Sequence, residues 1–347
     1  MSDVIRFAGR AVGAGQPCLV IAEAGVNHNG DLDLARQLVN AAADAGADVV
    51  KFQTFAADTL VSPEAPQFPY VDAEAGSQHE MLRRLELPHA FHDPIRDRCR
   101  DRDILFLSTP FHESDADWLD RFGVPAFKIP SGEVTNLPFV RHVADKGKPV
   151  ILSTGMATLG EVERAVETFA ASGNPDLMLL HCVSDYPADP ADANLRAMDT
   201  MRRAFGVPVG LSDHTPGIAV ALAAVALGAC VVEKHLTLDR ALPGPDHAAS
   251  LVPAEMTALV DGVRVVESSL GTGRKRPVPA ELETAACVRK SLVAVRDLAA
   301  GDEISADAVA VRRPGTGLSP DLLSQVLGRR LSRPLRSGQP LTLDDLT

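Results

Sequence analysis

Short apolar runs rich in Val, Ile and Leu recur along the first 235 residues, separated by stretches with helical spacing of apolar positions. The runs are Cys18–Glu23, Asp48–Gln53, Ile104–Thr109, Ala126–Pro130, Pro149–Thr154, Leu177–Cys182, Val207–Ser212 and Ala229–His235. Runs of this length and make-up predict parallel strands covered on both faces. After the first of them, Asp31–Ala45 places Leu34, Leu38, Ala41, Ala42 and Ala45 on one helical face, and Gly46 supplies a stop. Thr158 and Glu161 have capping-box spacing and open a predicted helix running to about Ala170. The longest uncharged run, Thr215 to Val232, has the length of a membrane span. Pro216, Gly217 and Gly228 interrupt it, and it predicts a buried helix followed by a strand.

Eight strands with helices between them predict a (β/α)8 TIM barrel, a fold of ~250 residues. A doubly wound sheet would want a Gly-rich dinucleotide turn after its first strand, and Ala24-Gly25-Val26-Asn27-His28-Asn29-Gly30 is not one. The pattern changes after Leu270. A Gly- and Pro-containing linker leads to a short polar helix near Glu281–Cys287, then to turn-rich sequence with strand-like runs at Ser291–Val295 and Val309–Arg313. The expected organisation is a barrel over 1–270, a linker over 271–287 and a small domain over 288–347. So small a domain is marginal alone and expected to dock on something.

Composition narrows the function classes. Hydrophobic residues make up 46% of the 347, which predicts a packed globular protein. A net charge of −12 argues against generic nucleic-acid binding. That charge is uneven: from Val288 onward nine Lys and Arg face seven Asp and Glu, against 25 and 39 before it. Five cysteines, an odd number without short spacings, fit a reducing cytoplasm rather than a disulfide framework or zinc ribbon. Met1-Ser2-Asp3-Val4-Ile5-Arg6 lacks the basic-then-apolar order of a secretion signal, so a soluble cytoplasmic protein without a membrane segment is expected.

In a barrel of this kind the chemistry sits at the carboxyl ends of the strands. Nearly every predicted strand here ends in polar groups: Glu23; Lys51 and Gln53; Thr109; Lys128, Ser131 and Glu133; Ser153 and Thr154; Ser184 and Tyr186; Ser212 and His214; His235. Any one of these is readily explained as a satisfied rim group. Their recurrence on eight strands is not, because a buried Lys or Glu is costly unless paired. Strand alternation turns Lys51 and Gln53 to one face, and likewise Glu233 and His235. Lys51, Lys128 and the Ser153-Thr154-Gly155 turn suit a phosphate and a carboxylate. His214 and His235 end adjacent strands, where two neutral imidazoles suit a divalent transition metal acting as a Lewis acid on a carbonyl. Two ligands do not define a metal site, and ordinary core histidines are the alternative.

The motifs taken in order resemble the bacterial sialic acid synthase family. They are Ile21-Ala22-Glu23-Ala24-Gly25-Val26-Asn27-His28-Asn29-Gly30, Val50-Lys51-Phe52-Gln53-Thr54, Lys128-Ile129-Pro130-Ser131-Gly132-Glu133, Ser153-Thr154-Gly155-Met156, Gly210-Leu211-Ser212-Asp213-His214-Thr215, Glu233-Lys234-His235 and Gly244-Pro245-Asp246-His247. The tail, with Arg312-Arg313-Pro314-Gly315-Thr316-Gly317, is similar to that family's antifreeze-like (SAF) domain. The resemblance implies a TIM barrel that joins phosphoenolpyruvate to an open-chain N-acylated hexosamine and releases phosphate. N-acetylmannosamine, giving N-acetylneuraminate, is the first acceptor it suggests, and the 2,4-diacetamido-2,4,6-trideoxy sugar of legionaminic acid synthesis the second. It implies that Lys51, Lys128, Ser131, Ser153, Ser184 and Ser212 hold phosphoenolpyruvate. Gln53, Thr109, Tyr186 and Asp246, with Glu23, would orient the sugar, and Glu133 would handle the attacking water. His214 and His235 would bind Mn²⁺, with Mg²⁺ or Co²⁺ possible. A domain-swapped homodimer is implied as well, in which Arg313 of the partner subunit reaches the sugar. The loop from Ala65 through Tyr70 to Leu82 resembles legionaminic acid synthases as much as N-acetylneuraminate synthases, which leaves the acceptor open between them.

Two other readings compete. A Schiff-base aldolase would use Lys51 or Lys128 as a covalent amine and leave the two histidines idle. A non-catalytic carbohydrate- or ice-binding protein, suggested by the tail alone, has no use for lysines and carboxylates at strand ends.

Overall fold

The computed structural model describes residues 3–69 and 77–347, and divides the chain into two units, Met1–Gly271 and Thr272–Thr347. The linker expected over 271–287 falls almost entirely in the second unit, where Pro279–Val288 is helical.

The first unit is the eight-stranded barrel. A hairpin of β1 (Val4–Phe7) and β2 (Arg10–Gly13) comes first, and the barrel strands follow. These are β3 (Leu19–Gly25), β4 (Val49–Thr54), β5 (Leu105–Pro110), β6 (Phe127–Ile129), β7 (Val150–Ser153), β8 (Leu177–Cys182), β9 (Val209–Asp213) and β10 (Val231–His235). Every hydrogen-bonded neighbour pair is parallel, in the order β5-β4-β3-β10-β9-β8-β7-β6, and β5 and β6 lie side by side. All eight strands fall within the predicted runs to within about two residues at each end.

The helices form for the reasons the pattern implies. Asp31 caps Leu32–Asp44 by accepting from the N–H groups of Asp33 and Leu34. Its buried face is Ala35, Leu38, Val39, Ala41 and Ala42, which leaves Leu34 only half-buried, a small rotation from the expected face. Thr158 and Glu161 close the expected capping box on Leu159–Ala170. The long uncharged run becomes helix Ala219–Ala226 followed by β10. Among the described residues no helix is long and apolar enough to cross a membrane.

Strand alternation sorts the core into two shells. Val20, Ala22, Val50, Phe52, Leu152, Leu179 and Val232 point outward to the helices. Leu19, Ile21, Val49, Leu107, Ile151, Leu180 and Val231 point inward at the amino-terminal end of the barrel. There they pack on Ile5, Phe7 and Val12 of the hairpin, which closes the bottom. The sequence expectation contained no element before Cys18. The hairpin strands are four residues each and carry arginines, too little pattern to stand out.

The second unit has its own small core. β11 (Ser291–Ala294) pairs antiparallel with β12 (Val309–Arg312), and Leu292, Leu298, Ile304, Val326, Leu331 and Leu341 pack around them. Arg313 follows β12 and is exposed.

Candidate active site at the mouth of the barrel

Toward the carboxyl ends of the strands the inward positions change from apolar to polar, and a cavity of about 550 Å³ opens above them. Its floor is a four-membered charge network. Lys51 Nζ lies 2.7 Å from Glu23 Oε2 and 3.7 Å from Glu233 Oε2, and Lys128 Nζ lies 3.0 Å from Glu233 Oε1. None of the four is more than 4% exposed. Lys51 also donates to Thr109 Oγ1 (2.9 Å), Ser212 to Glu233 Oε1 (3.0 Å), and Gln53 to Glu23 Oε1 (3.3 Å).

The environment splits the two carboxylates. Burial acts to raise both. At Glu233 the two lysines and Ser212 outweigh it and hold the carboxyl at about 2. At Glu23 burial prevails over Lys51 and, with Glu233 adding to it, raises the carboxyl to about 7. The lysines divide too. Burial disfavours both cations, but Lys51, facing two carboxylates, rises above the ordinary lysine value while Lys128 falls below it.

Hydroxyls ring one side. Ser131, Ser153, Ser184 and Ser212 line the cavity over β6 to β9. Ser131 Oγ accepts from the Gly155 N–H (3.0 Å), and a Cβ on Gly155 would collide with the hydroxyls of Ser184 and Ser131. Ser153 Oγ is buried with no hydrogen-bond partner, a donor with nothing to donate to.

The two imidazoles meet as expected, with ring centroids 5.3 Å apart, and Tyr186 lies against His214 at 4.1 Å. His214 donates Nδ1–H to the Val183 carbonyl (2.7 Å), which leaves Nε2 as the free ring nitrogen. Burial disfavours its cation, but Cys182 (3.8 Å), that carbonyl and Glu233 raise its pKa. Burial, His214 and Lys51 hold His235 well below the ordinary histidine value and so neutral. Its Nδ1 is buried without a hydrogen-bond partner, 3.5 Å from Asp246 Oδ2. Asp246 is itself raised to about 6 by burial, against the pull of His214 and Lys51. Gly25 completes this corner. Its φ is +53°, and a Cβ there would stand 3.4 Å from both Asp246 Oδ2 and Glu23 Oε1. Among the described residues no three His, Cys, Asp or Glu side chains converge as a closed metal cage. His214 and His235 bring two imidazoles together there, and two ligands by themselves do not define a metal site.

Glu23, Lys51, Gln53, Thr109, Lys128, Ser131, Ser153, Ser184, Tyr186, Ser212, His214, His235 and Asp246 all line this one cavity. Two expected residues do not join them. Glu133 sits in the 3₁₀ turn Ser131–Glu133, where its Oε2 accepts from Asn136 Nδ2 (2.7 Å), and it is not part of the cavity wall. Arg313 belongs to the second unit. Residues 70–76, within the loop expected to bear on acceptor choice, lie outside the described residues. Several residues that line the cavity were not assigned from the sequence. Glu233 is an inward neighbour of His235 by strand alternation but was not assigned to the site, and neither was Cys182, which contacts His214.

The model of the NeuB family matches residues 38–275, and that of the SAF domain matches residues 289–347. The chain belongs to the NeuB family. Two relatives are N,N'-diacetyllegionaminic acid synthases. The one from Legionella pneumophila is 48% identical over 95% of this chain and 94% of its own, and the one from Campylobacter jejuni 46% over 90% and 95%. Among solved structures, the N-acetylneuraminic acid synthetase of Leptospira borgpetersenii matches with a TM-score of 0.74 and 37% identity, over 82% of this chain and 95% of that one. For this NeuB-family chain the matched stretch takes in Lys51 through Asp246, while Glu23 lies ahead of it.

Proposed function

We propose that the protein joins phosphoenolpyruvate to the aldehyde carbon of an open-chain N-acylated amino sugar, giving a nine-carbon acid and inorganic phosphate. The observation that carries this is the cavity floor, two buried lysines held by two buried carboxylates at the strand ends of a NeuB-family barrel. The relatives at 48 and 46% favour 2,4-diacetamido-2,4,6-trideoxymannose as the acceptor. N-acetylmannosamine is the second reading, supported by the N-acetylneuraminic acid synthetase structure.

In this reading Lys51 and Lys128, with the hydroxyls of Ser131, Ser153, Ser184 and Ser212, hold the phosphate and carboxylate of phosphoenolpyruvate. Its C3 attacks the aldehyde carbon, the new C–C bond forms, and the former aldehyde oxygen takes up a proton. Water then adds at C2 and phosphate leaves as the C2–O bond breaks. Glu23, close to neutral pH and beside Gln53, is able to carry a proton in this sequence. Glu133 would have to turn away from Asn136 to activate the water. Gln53, Thr109, Tyr186 and Asp246 would orient the sugar. His214 and His235 fit a divalent cation, Mn²⁺ by the family resemblance with Mg²⁺ or Co²⁺ as alternatives, and such an ion supplies a Lewis acid for the aldehyde oxygen. A homodimer in which Arg313 of the partner subunit serves the sugar, and a cytoplasmic location, belong to the same proposal. Sedimentation tests the first and fractionation the second.

The test is phosphate release from phosphoenolpyruvate with each sugar, with and without Mn²⁺. Release that needs a sugar supports the reaction, and none with either sugar under any condition overturns it.

A further inference from the structure

Asp246 reaches the cavity from irregular chain. Between β10 and the helix Pro253–Leu270 the backbone forms only a 3₁₀ turn, His247–Ala249, and an isolated bridge of Leu236 to Leu251. A carboxylate carried on such a segment is placed accurately only when other groups lock it. Those groups come from the loop after β3. Asn27 is 2% exposed, and its Nδ2 donates both to the Leu236 carbonyl (2.9 Å) and to Ser250 Oγ (2.9 Å). Ser250, fully buried, donates in turn to the Asp246 carbonyl (2.6 Å). One amide thus spans the residue that follows His235 and the hydroxyl that holds Asp246. Two positions on, Asn29 Oδ1 faces His247 Nε2 (3.3 Å), and His247 Nδ1 meets Thr237 Oγ1 (2.7 Å). The Oδ1 of Asn27 is buried with no hydrogen-bond partner among the described residues. A buried acceptor left unpaired costs stability, so an asparagine is a poor choice here for packing alone. Neither Asn27 nor Ser250 lines the cavity.

We infer that Asn27 and Ser250 are positioning residues for the acceptor sugar, holding the Asp246 carboxylate against His235 at the corner of the cavity. The inference rests on the proposed condensation, in which Asp246 orients the sugar while the lysines and serines hold phosphoenolpyruvate. Asp246 Oδ2 stands 3.5 Å from His235 Nδ1, and the amide of Asn27 sets that separation from behind, because it grips the chain next to both residues. The phosphoenolpyruvate side does not share this support. Lys51, Lys128, Ser131 and Ser212 bond to Glu23, Thr109, Glu233 and Gly155, and none of these bonds runs through Asn27 or Ser250. Loss of the bridge therefore frees Asp246 and leaves the floor in place. A misplacement of about 1 Å costs up to about 100-fold, so loosening Asp246 predicts a rise of about 10- to 100-fold in the KM for the sugar, with that for phosphoenolpyruvate changed less than about twofold.

The experiment measures phosphate release by the full chain with Mn²⁺, varying phosphoenolpyruvate and the sugar in turn. The sugar is whichever of the two proposed acceptors the wild type turns over. The proteins are wild type, Asn27→Ala, Ser250→Ala, Asp246→Ala and the double variant Ser250→Ala/Asp246→Ala. The expected result is a rise in the sugar KM alone in both bridge variants. The double variant should lie within about twofold of Asp246→Ala, because a group that acts through Asp246 has nothing left to act on. Unchanged kinetics, equal rises in both KM values, or a fall in kcat alone overturn the inference when circular dichroism and melting show folded protein. So does a Ser250 substitution that keeps its full effect once Asp246 is alanine. If Asp246→Ala releases no measurable phosphate, the split between the two KM values decides; if Asn27→Ala misfolds, Ser250→Ala decides. No phosphate from the wild type with either sugar overturns the condensation and this role with it, whereas failure of the role alone leaves wild-type turnover intact.

Discussion

Glu233→Gln removes one charge from the floor at nearly constant volume. Glu233 is the hinge of the network, since its Oε1 accepts from Lys128 and Ser212 and its Oε2 faces Lys51. Its carboxyl lies at about 2 against an ordinary 4.5. At about 1.4 kcal/mol per pKa unit that difference is roughly 3 kcal/mol of stability. Removing one partner of a buried ion pair typically costs about 3–5 kcal/mol, so the two routes agree at the lower end. Lys128, already below the ordinary lysine value, limits the loss by giving up its proton once its carboxylate is gone. The sign follows from the lowered pKa. The contribution is complete above about pH 4.5 and is lost as pH falls toward about 2, so wild type and variant converge in acid. Urea denaturation of both proteins between pH 7 and pH 3 measures it. A difference under about 1 kcal/mol at pH 7, or one that does not shrink in acid, refutes the charge account of this residue.

Phosphoenolpyruvate binding should take up a proton near neutral pH, because an anion beside Glu23 raises a carboxyl already at about 7. Affinity then falls by up to about tenfold per pH unit above 7, and Glu23→Gln removes the dependence; calorimetry in buffers of different ionisation enthalpy reads both. His235→Ala should keep the melting temperature near wild type but lose Mn²⁺-dependent phosphate release and weaken Mn²⁺ binding measured by electron paramagnetic resonance; full activity without metal sinks the role. Lys234, fully buried outside the barrel, bonds Asp213 Oδ2 (2.8 Å) and the Thr215 carbonyl. Lys234→Met leaves Asp213 charged and unpaired and should cost roughly 3 kcal/mol in urea.

The barrel was legible because its strands are buried on both faces, which leaves an almost continuous apolar run that few other structures produce. The inward column was legible for the same reason, as period-two alternation assigned Lys51, Gln53 and His235 to the interior before any fold was known. Residues beyond the strand ends escape that logic. Glu133 lies four positions past Ile129, in a turn that gives its carboxylate to Asn136, and no periodicity foretells that choice. Met81 and Leu82 escape it differently. They were expected in a loop, whereas Gln78–Leu85 is a helix capped by Ser77, and whether its apolar positions face a core or a cavity is a tertiary matter. Glu233 shows a third limit. Alternation placed it inward, yet its importance comes from standing between two lysines on β4 and β6, distant in sequence and adjacent only in the closed barrel.

That position also bears on whether either lysine serves as a covalent amine. An imine requires a neutral nitrogen with a free lone pair. Lys51 faces two carboxylates and donates to Thr109, and all three interactions favour the ammonium form. Lys128 is the weaker acid trap, since burial lowers its pKa, but its hydrogen bond to Glu233 draws on the same proton an imine would need removed. A floor whose carboxylates hold Lys51 as an ammonium is suited to holding an anion, and is by the same arrangement poor at forming an imine at that residue. Any trapping by borohydride and pyruvate should fall on Lys128 and increase in Glu233→Gln, and trapping on Lys51 in the wild type would contradict the charge assignment of the floor.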